Sequence, residues 1–212
     1  IPVLEIQHGA IHRAHEGYVY PRSFRTANNT WLRRHIAVYR EVDRDVLVAA
    51  GWDDAQIHVT GNPRYDQISN ASRARTQRML ELDGDTQVLL VTSQPVREYQ
   101  RLLCTLLTEL TAIDWPDWKV VLKLHPLEQS VGHPYHELVR TRPNVCMVAT
   151  EQPSLPELLA VTDLHLTVHS SVAFEAEYFG IKTLFLRSGT VGEQISSLVT
   201  NERIVASCDE VA

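Results

Sequence analysis

Two short motifs place side chains that can donate hydrogen bonds to a phosphate directly after apolar runs. The first is Lys-Leu-His-Pro at 123–126, in which Lys123 and His125 lie two residues apart. On a strand end that spacing points both side chains to the same side, where both can donate hydrogen bonds to a phosphate. Pro126 ends the strand because it has no N–H to donate. The alternative is a structural histidine that caps the loop.

The second motif is Ser170-Ser171, which stands where a predicted strand ends and a helix begins. Ser170 is predicted to be the N-cap, and a helix N-terminus with free N–H groups and two hydroxyls can bind an anion. An N-cap without a ligand is the alternative, but His125 on a neighbouring strand end favours phosphate. Glu175 lies one turn further on, where it either accepts from a ribose hydroxyl or is solvated.

Both motifs depend on a predicted alternation of strands and helices. Strands are predicted at 87–92, 119–124, 145–148, 164–168 and 182–186. Helices are predicted at 97–112, 134–140, 154–160, 171–179 and 191–199. The strands are apolar on both faces, as a sheet covered by helices requires. The pattern predicts an α/β fold with a Rossmann-like parallel sheet and helices on both faces.

A shorter alternation precedes this one. Strands are predicted at 3–7, 35–39 and 56–60, with a long loop at 10–34 and a helix at 40–50 that Gly51 closes. The polar, Arg- and Ser-rich stretch 64–86 contains the best boundary, so we predict domains at 1–66 and 67–212. Because the chain begins with Ile1-Pro2 in a strand pattern, without an initiator Met, we expect a fragment of a longer protein.

The ends of the strands are where a ligand is expected, because ligands of an open parallel sheet bind beyond the carboxyl ends of its strands. Polar, hydrogen-bonding residues occupy these places. They are His8-Gly9, Gly61-Asn62-Pro63, Ser93-Gln94, His125-Pro126 and His169-Ser170-Ser171.

Charge and composition narrow the classes of partner. A formal net charge of -6 argues against a dominant nucleic-acid function, which favours a basic surface. No apolar run approaches the roughly 20 residues of a membrane helix. Six arginines form a local basic cluster, and we favour the interpretation that it is a solvated surface. The alternative is that the cluster contacts an anionic acceptor or a membrane surface. The cluster comprises Arg13, Arg22, Arg25, Arg33, Arg34 and Arg40.

Several common chemistries lack their motifs. The sequence has no Gly-x-Ser-x-Gly elbow for serine hydrolysis and no Gly-x-Gly-x-x-Gly for a dinucleotide cofactor. His12-x-x-His15-Glu16 and His133-x-x-His136-Glu137 lack a third metal ligand, so we expect no metal. The three cysteines, Cys104, Cys146 and Cys208, are widely spaced. We expect them to be reduced and mostly buried in a cytoplasmic protein.

The order of the motifs resembles bacterial GT-B surface-carbohydrate enzymes. These include capsule polysaccharide transferases, the CDP-glycerol glycerophosphotransferases of teichoic acid synthesis, and bacterial sialyltransferases. The resemblance is carried by Gln7-His8-Gly9, Thr60-Gly61-Asn62-Pro63-Arg64-Tyr65-Asp66, Lys123-Leu124-His125-Pro126, Ser170-Ser171-Val172-Ala173-Phe174-Glu175-Ala176 and Phe179-Gly180-Ile181-Lys182-Thr183-Leu184. It implies that 67–212 is a C-terminal GT-B domain that binds the nucleotide donor, and that 1–66 is the tail of the acceptor-side domain.

The resemblance also implies a CMP- or CDP-linked donor with its phosphate on His125, Ser170 and Ser171. The other residues expected at the donor are Ser93, Gln94, Lys123, Pro126, Glu175 and Asn62. No acidic catalytic motif is visible, so His8 is the candidate general base. A metal-independent transferase with a glycan or lipid-linked acceptor is implied, with peripheral association at the inner face of the membrane as a further expectation.

Two other functions remain open from the sequence. A UDP-sugar 2-epimerase shares the GT-B fold and a similar Gly-Asn segment, but it needs a uridine donor and more acidic catalytic residues. A non-catalytic nucleotide-binding or assembly fragment is the third hypothesis, because acceptor recognition cannot be read from this sequence. We predict that cytidine nucleotides bind better than uridine or adenine nucleotides.

Overall fold

The computed structural model describes residues 3–9, 11–13, 15, 17–20, 35–63, 65–66, 70–112, 116–128, 134–148, 152–187 and 202–205. The chain divides into two compact units, Ile1–Gln67 and Ile68–Ala212. In the described part of the chain, no helix is long and apolar enough to cross a membrane.

The first unit is built on a three-stranded parallel sheet. Its strands are β1 (Leu4–Ile6), β2 (His35–Val38) and β3 (Ile57–Val59), in the order β1-β2-β3. Helix α1 (Glu41–Ala49) connects β2 to β3 and buries Val46 and Leu47 in a cluster with strand residues. The predicted C-terminal glycine of α1 is confirmed, since Gly51 has φ +93 and its N–H donates to Val48 O at 2.8 Å.

The second unit carries a six-stranded parallel sheet. Its strands are β4 (Gln87–Thr92), β5 (Trp118–Lys123), β6 (Val145–Val148), β7 (Leu164–Thr167), β8 (Lys182–Leu186) and β9 (Glu202–Val205). They are ordered β6-β5-β4-β7-β8-β9. The chain therefore runs outward from β4 to β6 and returns to the other side of β4 to form β7. The contact between β4 and β7 is the switch point of the sheet.

Helices pack on both faces of this sheet. They are α2 (Asn70–Met79), α3 (Arg97–Leu110), α4 (Tyr135–Thr141), α5 (Leu155–Leu159) and α6 (Val172–Tyr178). Along β4, Leu89 and Val91 join the apolar cluster of α3 and α4, whereas Val88 and Leu90 join that of α5 and α6. This alternation explains why the strand is apolar throughout. The predicted α/β fold, a parallel sheet with helices on both faces, is confirmed.

The differences from the predicted elements are local. The edge strand β9 was not predicted, whereas α2 lies within the polar stretch 64–82, whose sequence is compatible with a helix. The predicted helix at 191–199 and most of the predicted loop at 10–34 lie outside the described residues. Cys104 and Cys146 are free thiols and are half-buried, while Cys208 lies outside the described residues. In the basic cluster, Arg40 forms an ion pair with Asp43 at 2.9 Å.

Candidate functional site

The carboxyl edge of the second sheet brings three strand-end segments together. Ser93-Gln94 follow β4, His125 follows β5, and His169-Ser170 follow β7. Because β4 lies between β5 and β7, Ser93 and Gln94 are placed between the two predicted phosphate motifs. The Ser93 hydroxyl accepts a hydrogen bond from the His125 backbone N–H, and the Gln94 side-chain amide donates one to the His169 backbone carbonyl.

A buried carboxylate fixes the loop that carries His125. Glu128 is 3% exposed, and its Oε2 accepts from the His125 N–H at 2.9 Å and from the Ser93 hydroxyl. Its Oε1 accepts from Gln100 Nε2 at 2.7 Å. Sequence reasoning missed Glu128, although a glutamate three residues after His125 has the reciprocal spacing of a capping box. Because the Ser93 hydroxyl donates to Glu128, Ser93 holds the loop in position.

The His125 side chain has one nitrogen engaged by its own loop. Its Nδ1 accepts from the Leu127 N–H at 3.2 Å, across the short 3-10 turn Pro126–Glu128. An accepting Nδ1 carries no proton, so the neutral ring has its hydrogen on Nε2. The half-buried imidazole is therefore oriented as an Nε2–H donor. Lys123, the last residue of β5, is also half-buried.

Gln94 bridges the switch point. Its Nε2 donates to the His169 backbone carbonyl and to Thr167 Oγ1, the latter at 3.2 Å. Thr167 Oγ1 in turn donates to the Thr92 carbonyl at 3.0 Å. Gln94 is 8% exposed, so these bonds form in a buried region between β4 and β7.

A neutral histidine lies beneath this edge. His165 Nε2 lies 2.9 Å from Thr92 Oγ1, and its Nδ1 lies 3.0 Å from Thr183 Oγ1, so the ring links β7 to β4 and β8. Burial lowers the pKa of His165 to about 3, because its charged form would lose hydration in the interior. The sequence did not distinguish His165 from an ordinary strand residue.

The serine pair precedes α6 as predicted, with the two hydroxyls in different surroundings. Ser170 Oγ accepts from the Val172 N–H at 3.2 Å, whereas Ser171 is exposed and its side chain makes no capping bond. The capping hydroxyl therefore belongs to Ser170, although the helix itself begins at Val172. Partial burial lowers the pKa of the neighbouring His169. Glu175 is half-buried in the first turn of α6.

The remaining two predicted site residues belong to the first unit. His8 follows β1, and Tyr18 Oη contacts it twice, at 3.1 Å from the His8 backbone N and 2.9 Å from Nδ1. The neighbouring Gln7 is buried and accepts from the Tyr39 N–H at 2.7 Å, which fixes the chain as it leaves β1. Asn62 is buried, and its carbonyl accepts from the Tyr65 N–H at 3.0 Å.

The histidine pairs considered as metal ligands belong to no three-residue ligand group in the described part of the chain. His12 and His15 have ring centroids 5.4 Å apart in an edge-to-face arrangement, and His15 packs on Tyr18 at 4.7 Å. Among the described residues, no group of three or more His, Cys, Asp and Glu side chains is arranged to hold a metal ion. Glu16 and His133 lie outside those residues.

The family model of CDP-Glycerol:Poly(glycerophosphate) glycerophosphotransferase matches residues 16–181. The chain belongs to this family. The match includes both predicted phosphate motifs, at 123–126 and 170–171, and it confirms the resemblance to transferases of bacterial surface-polymer synthesis. Among curated proteins, no sequence match was found.

Solved structures share the fold of this glycerophosphotransferase-family chain. UDP-GlcNAc 2-epimerase from Neisseria meningitidis, bound to UDP-GlcNAc, is 20% identical with a TM-score of 0.67, and the match covers 100% of this chain and 61% of that one. Wall teichoic acid polymerase TagF is 16% identical with a TM-score of 0.68, covering 99% and 57%. A TagF structure soaked with CDPG has a TM-score of 0.62 with the same identity and coverage. The chain thus spans about three fifths of these proteins.

Proposed function

We propose that the protein is a transferase that takes a CMP- or CDP-linked donor, with CDP-glycerol as the first candidate. The observation that carries the proposal is the family match across residues 16–181, which contains the strand-end segments that follow β4, β5 and β7. In the proposed complex, the donor phosphates lie between His125 Nε2–H and the Ser170-Ser171 segment. Lys123, Pro126 and Glu175 would line the same end of the sheet.

The proposed reaction is a displacement at the β-phosphorus of CDP-glycerol. A hydroxyl oxygen of the acceptor forms a new P–O bond, and the bond from this phosphorus to the bridging oxygen breaks. CMP leaves with the electron pair of that bond, and the acceptor hydroxyl gives up its proton to a base. Hydrogen-bond donors of the chain would position CDP-glycerol and stabilise the charge on the leaving phosphate. We therefore propose no metal and no further cofactor.

His8 is the proposed general base. Tyr18 Oη, 2.9 Å from His8 Nδ1, can accept its hydrogen and thereby leave Nε2 unprotonated. The same hydroxyl accepts from the His8 backbone N–H, so it fixes both the chain and the ring. In this tautomer, Nε2 can take the proton of an acceptor hydroxyl.

We further propose that the pathway is bacterial surface-polymer synthesis, such as poly(glycerophosphate) or capsule polysaccharide. The acceptor would then be a growing glycan or a lipid-linked chain, and the enzyme would associate peripherally with the inner face of the membrane. Sedimentation with vesicles that contain anionic lipid tests that association directly. Retention of transfer activity in excess chelator tests the absence of a metal.

A nucleotide panel followed by thermal unfolding tests the donor. CDP-glycerol and CDP should stabilise the protein more than UDP, UDP-GlcNAc or ADP at equal concentration. A ligand at 100 times its dissociation constant adds about 2.7 kcal/mol to the free energy of unfolding. Stronger stabilisation by UDP-GlcNAc would favour the epimerase hypothesis. The fold of this chain is also that of the Neisseria epimerase. Stabilisation by none of them would contradict the proposed function.

A further inference from the structure

The side-chain carbonyl of Gln94 is a buried acceptor without a partner. Gln94 is 8% exposed, and its Oε1 is among the buried side-chain atoms that make no hydrogen bond. A buried acceptor in this state destabilises the protein, because it has lost its hydrogen bonds to water and gained none in their place. Such an atom is uncommon in folded proteins and calls for a specific explanation.

The orientation of this amide follows from its neighbours. Nε2 faces the His169 backbone carbonyl, which can only accept a hydrogen bond. Its second hydrogen points to Thr167 Oγ1, whose own hydrogen is donated to the Thr92 carbonyl. Exchanging Nε2 and Oε1 would set two acceptors against each other at both contacts. The unpaired atom is therefore the carbonyl oxygen.

Gln94 is also the outermost member of a buried polar column. His165, Thr167 and Thr183 are each 0% exposed, Thr92 is 4% exposed and Gln94 is 8% exposed. The column thus approaches solvent at the carboxyl edge, at the switch point between β4 and β7, where ligands of open parallel sheets bind. The neighbouring His169 and Ser170 are half-buried at the same edge.

An acceptor in this position selects the chemistry of the group that meets it. A phosphate oxygen is itself an acceptor and would be repelled, whereas a hydroxyl can donate. We propose that Gln94 Oε1 accepts a hydrogen bond from a hydroxyl of the bound nucleotide donor, and that Gln94 determines specificity for it. This inference rests on the proposed function. The hydroxyl belongs either to the ribose or to the glycerol, and the two sources differ in their ligand dependence.

Titration calorimetry with Gln94→Met and a set of ligands tests the proposal. Methionine keeps the length of the side chain but removes both amide atoms. Affinity for CDP-glycerol should fall about tenfold. If Gln94 accepts a hydrogen bond from a glycerol hydroxyl, CDP, which has no glycerol, should bind the variant and the wild type equally. If a ribose hydroxyl is read, CDP should also weaken about tenfold, and 2′,3′-dideoxy-CDP should bind both proteins equally.

Two controls separate binding from folding. Gln87→Met makes the same substitution at the exposed opposite end of β4 and should leave every affinity unchanged. Thr167→Val removes one partner of Gln94 Nε2 but keeps Oε1, so it should lower stability while retaining the discrimination among ligands. If Gln94→Met does not fold, the wild type still decides, because removal of the recognised hydroxyl from the ligand should weaken binding about tenfold.

Three outcomes would overturn the inference while leaving the proposed function in place. One is equal affinity of the variant and the wild type for CDP-glycerol. Another is an equal loss for CDP and dideoxy-CDP, which would point to the cytosine amine. The third is wild-type affinity that is indifferent to every hydroxyl removed. If the wild type binds no cytidine nucleotide at all, the proposed function itself fails.

Discussion

Ser93 and His125 are joined across two neighbouring strands, because the His125 backbone N lies 3.2 Å from Ser93 Oγ. Both groups also bond to Oε2 of the buried Glu128. Hydrogen bonds among Ser93, His125 and Glu128 thus attach the loop after β5 to the end of β4. The position of the His125 ring therefore depends on Glu128, although Glu128 is not one of the residues proposed to contact the phosphate.

Glu128→Gln should therefore weaken nucleotide binding without a ligand contact being removed. An amide in place of the carboxylate cannot accept all three bonds from Ser93, His125 and Gln100, so the loop should loosen. We expect about a tenfold loss of CDP affinity and about 1–3 kcal/mol less stability, measured by calorimetry and chemical unfolding. The exposed Glu98→Gln in the first turn of α3 is the matched control. Unchanged affinity in Glu128→Gln would contradict this positioning role.

His125→Ala should weaken CDP binding about ten- to a hundredfold by removing the Nε2–H donor. Stability should change by less than about 1 kcal/mol, since the half-buried side chain makes one bond to its own loop. Calorimetry and thermal unfolding measure the two effects. His136→Ala, an exposed histidine of α4, should change neither. An alanine variant at 125 with full CDP affinity would show that this histidine is structural.

The sequence predicted those parts of the fold that depend on local pattern. The apolar runs that form β4 and β6 were located at their observed bounds, because strands buried on both faces leave an unbroken hydrophobic signal. The strand β9 carries Glu202 and Arg203 within four residues and lies at the edge of the sheet, so its pattern was too short and too polar to detect.

The candidate site was predictable as a set of neighbouring strand ends, but its hydrogen-bond network was not. The motifs around His125 and Ser170 were visible because parallel sheets place ligands at the carboxyl ends of their strands. The hydrogen bond from Gln94 to His169 requires β4 to lie beside β7. The order of the strands cannot be deduced from the sequence of either segment. Glu128 resembled a loop glutamate until tertiary structure buried its carboxylate.

Acid should destabilise the second unit through His165. Its pKa is about 3 in the folded protein, against an ordinary value of 6.5, because burial disfavours the charged ring. The unfolded chain therefore binds more protons than the folded one between about pH 6.5 and 3, and stability must fall as pH decreases through that window. The contribution of one such histidine is at most about 1.4 kcal/mol per pH unit.

His165→Gln isolates this contribution. We expect the variant to be less stable than the wild type at pH 8, since it loses bonds to Thr92 and Thr183. The difference should shrink as the pH is lowered from 6.5, because only the wild type has a buried imidazole to protonate. Urea unfolding across this range measures the difference. A stability difference that stays constant with pH would exclude a titrating His165.

The contact between His8 and Tyr18 yields the test of the proposed base. Tyr18→Phe removes the hydroxyl that holds His8 Nδ1 but keeps the aromatic packing of a fully buried side chain. We expect kcat for the proposed transfer to fall about tenfold or more while CDP affinity stays unchanged, because the loss concerns proton transfer. Tyr20→Phe, which removes a neighbouring hydroxyl bonded to the Gly17 carbonyl, is the control and should retain wild-type kcat. A normal kcat in both Tyr18→Phe and His8→Ala would show that the acceptor's proton leaves by another group.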